Sequence, residues 1–171
     1  MSQAAALEPL IPALRRYAFA LTRDHHAADD LVQDTLERAL GRWMLRGAEK
    51  DLRAWLFAIL HNRFIDLQRV RSRRPLHGTL DEEVEAATTS PTQDSGLLGR
   101  DLLAQFSALS PEHQAVLLLV GVEGMAYAGV AQVLDIPVGT VMSRLSRARA
   151  QFRRLLDGER LPARPDLRRV K

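Results

Sequence analysis

The run Thr140-Val141-Met142-Ser143-Arg144-Leu145-Ser146-Arg147-Ala148-Arg149 carries two kinds of chemistry at helical spacing. Val141, Leu145, Ala148 and Phe152 fall on one side of a helix. Ser143, Arg144, Ser146, Arg147 and Arg149 are left for the other, with Arg153 and Arg154 beyond them. Guanidinium groups pair bidentately with guanine edges and electrostatically with phosphates, so such a helix can read DNA. A solvated basic helix would look similar, and the residues just upstream separate the two. A helix is expected from Tyr127 to Leu134, then a turn Asp135-Ile136-Pro137-Val138, then a second helix beginning near Gly139-Thr140. Small Ala131 permits close approach, Asp135 tolerates a left-handed backbone better than most residues, and Val141 locks the two helices together. This is the spacing of a helix-turn-helix.

Other chemistries find little support. The 171 residues include no cysteine, which removes disulfides, thiolate zinc sites and cysteine nucleophiles together. His25-His26 beside Asp29-Asp30 suggests a metal site, but adjacent histidines point in different directions and no second ligand cluster completes a geometry. No Walker loop, G-x-G-x-x-G or nucleophile elbow is found. The expectation is a protein that is not an enzyme and uses no cofactor or metal. No apolar run approaches the ~18 residues of a membrane span, and the start lacks the basic flank of a signal peptide, so no membrane insertion and a cytoplasmic location are expected.

The elements that must position these residues are helical. Aromatic residues make up only 5% of the chain and proline is sparse within the periodic segments. Leu7, Leu10, Ile11, Leu14, Ala18 and Leu21 form one amphipathic stripe. A second helix is expected from about Ala27 to Trp43, and a third from an N-cap at Asp51 to the arginines before Pro75. The loop from Arg46 to Lys50 pivots at Gly47. A short helix over Leu102 to Leu109 and another capped by Ser110-Pro111-Glu112 lead into the helix-turn-helix. Trp43 and Trp55 lie in apolar stripes and read as core.

Charge divides the chain. Residues 1–74 hold 13 basic and 9 acidic side chains, residues 75–99 none and five, and residues 100–171 eleven and seven. Two cationic blocks flank an anionic one that is rich in Gly, Pro, Ser and Thr. The fold expectation is all-α: an N-terminal helix bundle (1–74), a flexible acidic linker (75–99), a C-terminal helix-turn-helix domain (100–160) and a basic tail (161–171).

Ile136 to Val141, Ser143-Arg144-Leu145 and Arg147-Ala148-Arg149 resemble the promoter-reading helix in the fourth conserved region of extracytoplasmic-function sigma factors. Leu109 to Gln114 is similar to that region's entry helix. In the N-terminal half, Ala28 to Thr35 resembles the family's core-binding helix. Leu52 to Ile59 with Asn62 to Asp66 resembles its second-region DNA-binding helix.

The resemblance implies a protein that binds core RNA polymerase and promoter DNA, with an anti-sigma factor as a further partner. Asp30, Gln33 and Asp34 would dock on the polymerase. Arg46, Lys50, Asn62, Arg63, Arg69, Arg71, Arg73 and Arg74 would serve the minus-ten element, the loop from Arg46 to Lys50 lying where the family captures a flipped base. Thr140, Met142, Ser143, Arg144, Ser146, Arg147 and Arg149 would serve the minus-thirty-five element. Two departures stand out. Met142 replaces a usual basic residue, and Ala128-Gly129 replace acids after the tyrosine, Gly129 costing roughly 1 kcal/mol of helix stability against alanine. The acidic linker would thread the polymerase channel or act as a plain spacer. The rival reading is a sigma mimic that sequesters an anti-sigma factor without binding promoters; it has no need of the arginines on both DNA faces.

Overall fold

The computed structural model describes residues 3–45, 51–73 and 95–158. Arg46, Lys50, Arg74, the acidic stretch up to Asp94 and the basic tail lie outside the described residues.

The first amphipathic stripe is not one helix. α1 (Gln3–Leu7) and α2 (Ile11–Thr22) are separated by a 3-10 turn over Glu8–Leu10. Pro9 and Pro12 each lack the N–H that would continue the α-helical ladder, so the chain tightens before restarting. α2 ends at Arg23, in left-handed conformation with φ 60°.

α3 (His25–Gly41) begins two residues earlier than its apolar pattern suggests. Asp24 caps it, its carboxylate accepting from Ala27 N at 2.7 Å. Its neighbour His25 stacks on Phe19 with ring centroids 4.3 Å apart. Asp51 accepts from Arg53 N at 2.9 Å just ahead of α4 (Leu52–Arg73). Trp43 and Trp55 pack edge to face, half-buried against the core rather than inside it, and Leu40 on the expected apolar side is exposed.

α5 (Ser95–Ser107) starts inside the stretch read as linker. Leu97, Leu98, Leu102 and Leu103 carry helical spacing that Gly96 and Gly99 obscure. Ser110 caps α6 (Pro111–Leu117), which widens into a π turn over Leu118–Val122. Gly124, with φ +62°, then reverses the chain. α7 (Tyr127–Leu134) and α8 (Val138–Leu156) complete the second lobe.

The two lobes share one hydrophobic core. Leu14, Tyr17, Phe57 and Leu60 of the first are continuous with Val116, Leu119, Val130 and Val141 of the second. The seam is formed chiefly by α4 packing on α7, with α2 touching α6 and the π turn.

Candidate nucleic-acid interface

The turn between α7 and α8 has the geometry that a helix-turn-helix requires. Asp135 adopts φ 52° and ψ 51°, and Ile136 N donates to Ala131 O at 3.1 Å. Pro137 takes the N-cap position of α8, so that helix starts at Val138, two residues before Thr140. Val141, Leu145 and Ala148 are buried; Phe152 is half-buried, edge-on to Phe106, and Leu155 closes the apolar side.

On the opposite side Ser143, Ser146, Arg147 and Arg149 are exposed and Thr140 is half-buried. Arg147 lies back along its helix, Nη2 donating to Ser143 Oγ at 3.3 Å. That arrangement restrains a long side chain before any ligand arrives. Met142 is 54% exposed and, with exposed Val138 one turn earlier, puts an apolar surface beside the serines and arginines.

Arg144 does not point to open solvent with the others. It is half-buried in an interlobe cleft of about 480 Å³, whose walls include His61 and Ile65 of α4, Glu112 of α6 and Ile136. His61 Nδ1 lies 3.0 Å from Tyr17 Oη. Burial, with a smaller push from the Arg144 charge, lowers the His61 pKa from its ordinary 6.5 to about 4. Burial, helped by the charge of Glu123, raises that of Tyr17. Both rings are neutral near pH 7.

The C-terminal half of α4 is the second cationic surface. Asn62, Arg69, Arg71 and Arg73 are exposed, Arg69 lying 3.8 Å from Asp66. Arg63 differs: its guanidinium is ion-paired to Asp34 of α3, which also accepts from Arg38 Nε at 3.0 Å. Burial would raise the Asp34 pKa, but the hydrogen bonds and charges of the two arginines outweigh it and hold the carboxyl below its usual value. Of the three residues expected to dock on the polymerase, Asp30 and Gln33 are exposed, and Asp34 is half-buried where it ties α3 to α4 through Arg63.

Residues 7–61 match the family model described as the Sigma2 domain of PhyR, and residues 99–152 match Sigma-70, region 4. The chain is 35% identical over 146 residues to the ECF RNA polymerase sigma factor EcfG of Rhodopseudomonas palustris, covering 85% of this chain and 80% of that one. The chain belongs to the extracytoplasmic-function sigma factors. This sigma factor is also 38% identical over 137 residues to SigL of Mycobacterium tuberculosis, covering 79% of this chain and 77% of the relative. Among solved structures it resembles the sigma factor RpoE of Bartonella quintana in complex with the anti-sigma factor NepR, at 34% identity and a TM-score of 0.77, covering 91% of this chain and 97% of that one.

Glu123 is not among the residues expected from the sequence to act. It is the only Asp, Glu, Lys or Arg between Glu112 and Asp135, and a lone carboxylate in so apolar a stretch has to find a cation. It finds two, Arg16 and Arg53.

Proposed function

We propose that this sigma factor binds core RNA polymerase through the exposed α3 face carrying Asp30 and Gln33, and directs initiation through two separate DNA surfaces. The α8 face of Thr140, Met142, Ser143, Arg144, Ser146, Arg147 and Arg149 reads the minus-thirty-five element. Asn62, Arg63 and the arginines that follow on α4 hold the minus-ten element, and Arg46, Lys50 and Arg74 are assigned to it from the sequence alone. The helix-turn-helix whose polar face carries these arginines and serines is the observation that supports this most, because that face can make base-edge and phosphate contacts. Met142 turns an apolar surface to the groove, suited to a thymine methyl. The protein works in the cytoplasm without cofactor or catalysis of its own. An anti-sigma factor is a further partner, as for the Bartonella quintana RpoE.

The match of residues 7–61 to a PhyR domain supports a second reading, a sigma mimic that occupies an anti-sigma factor without engaging promoters. Run-off transcription on genomic fragments with sigma-free core polymerase separates the two. Promoter-dependent transcripts are expected, and Arg144→Ala with Arg147→Ala should abolish them while core association persists. Full transcription by the double variant would contradict the site assignment; core association without any transcript would favour the mimic.

A further inference from the structure

Glu123 is 5% exposed, and both of its carboxylate oxygens are occupied. Arg16 of α2 grips it bidentately, Nε to Oε1 at 2.9 Å and Nη2 to Oε2 at 2.8 Å. Arg53 Nη2, at the start of α4, donates to Oε2 at 3.1 Å and to the Glu123 backbone carbonyl at 2.7 Å. Both arginines belong to the first lobe and the glutamate to the second. The π turn and left-handed Gly124 aim the carboxylate across the seam. A second tie lies alongside, where Arg23 Nη2 donates to Leu103 O at 2.9 Å and its guanidinium sits over Phe106.

We propose that Glu123, Arg16 and Arg53 form an intramolecular latch that closes the sigma factor on itself and keeps its two DNA surfaces from acting together. The inference rests on the reading of α4 and α8 as promoter-binding helices. The minus-ten and minus-thirty-five elements lie about 25 base pairs apart, roughly 85 Å along the duplex at ~3.4 Å per pair. Packed helices such as α4 and α7 are about 8–10 Å apart, and a compact chain of this length spans only about 40 Å. The closed arrangement cannot bridge the two elements, and it turns Arg144 toward His61 in the cleft. Promoter binding therefore draws on the open population, and the apparent affinity falls in proportion to the fraction that is open.

The latch suits a switch. A buried carboxylate needs both partners while closed, yet all three groups regain water once the lobes part. Arg16 is half-exposed even when closed, so removing it takes this contact from the closed state and no buried apolar packing from either lobe.

Because the chain has no cysteine, His26→Cys on α3 and Ala150→Cys on α8 would accept a donor and an acceptor dye for single-molecule energy transfer on the full chain. Glu123→Gln and, separately, Arg16→Ala should move molecules from the short-distance to the long-distance population, with unchanged helical circular dichroism. The same variants should raise run-off yield at limiting sigma concentration by roughly three- to tenfold. An unchanged distance distribution in both variants would overturn the latch. Opening without a gain in transcript would overturn its inhibitory role. No transcript from any form, wild type included, would refute the promoter-binding reading, while the distances would still decide whether the latch exists.

Discussion

Asp34 on α3 holds Arg63 on α4, so the helix proposed to dock on the polymerase fixes a side chain of the helix proposed to hold the minus-ten element. Arg38 grips the other carboxylate oxygen. Asp34→Asn keeps the shape and removes the charge. It should leave Arg63 mobile and weaken open-complex formation by about tenfold, with a smaller effect on core association. Permanganate footprinting of the melted strand beside a core pull-down measures the two separately. Equal losses in both would show that Asp34 acts on the polymerase directly.

His61 makes stability depend on mild acid. Its imidazole titrates at about 4 when folded and near 6.5 when free. Between those values the unfolded chain holds more protons. Stability is therefore full above about pH 6.5 and falls as the pH drops toward 4. The melting temperature should decline by roughly 5 °C from pH 7 to pH 4.5, and His61→Gln should flatten that slope. Asp34 has the opposite charge but the same sign of dependence, in a lower window: its contribution holds above the usual carboxylate pKa and is lost as the pH falls through its depressed value.

Gly129 sits inside α7, and a Cβ built there would meet only the flexible tip of Met125, at 3.4 Å. Gly129→Ala should stabilise the protein by about 0.5–1 kcal/mol through helix propensity, read from urea denaturation midpoints. A loss of stability would mean that α7 needs the methyl-free surface.

At the turn, Asp135 occupies the left-handed region with φ 52°. Asp135→Gly should be close to neutral, whereas Asp135→Val should cost about 1–2 kcal/mol by forcing a β-branched side chain into that conformation. Equal denaturation midpoints for the two variants would show that the turn relaxes to another shape.

These positions also show what the sequence made legible. The helix-turn-helix could be read from Tyr127 to Arg149 because its constraints are local: a small residue, a turn residue and an aliphatic lock at fixed spacing. The Ser110 cap was legible for the same reason. The break at Pro9 and Pro12 lay beneath an apolar stripe that continues across it, and the Asp24 cap was hidden because the stripe begins later than the helix. Long-range relationships left almost no periodic trace. The pairing of Asp34 with Arg63, the turning of Arg144 into the cleft and the grip of Arg16 and Arg53 on Glu123 depend on how the helices pack. Only the isolation of Glu123 among apolar residues signalled that a distant cation was needed.

If α4 and α8 each hold a promoter element, a chain folded around one core has to part into two lobes before both can be read. The distance between dyes at His26→Cys and Ala150→Cys, measured in the free protein and again in a promoter complex with core polymerase, tests it most directly. A short distance is expected in the free chain, and a separation greater by several tens of ångströms on the promoter. An unchanged short distance in a complex that is making transcripts would contradict it.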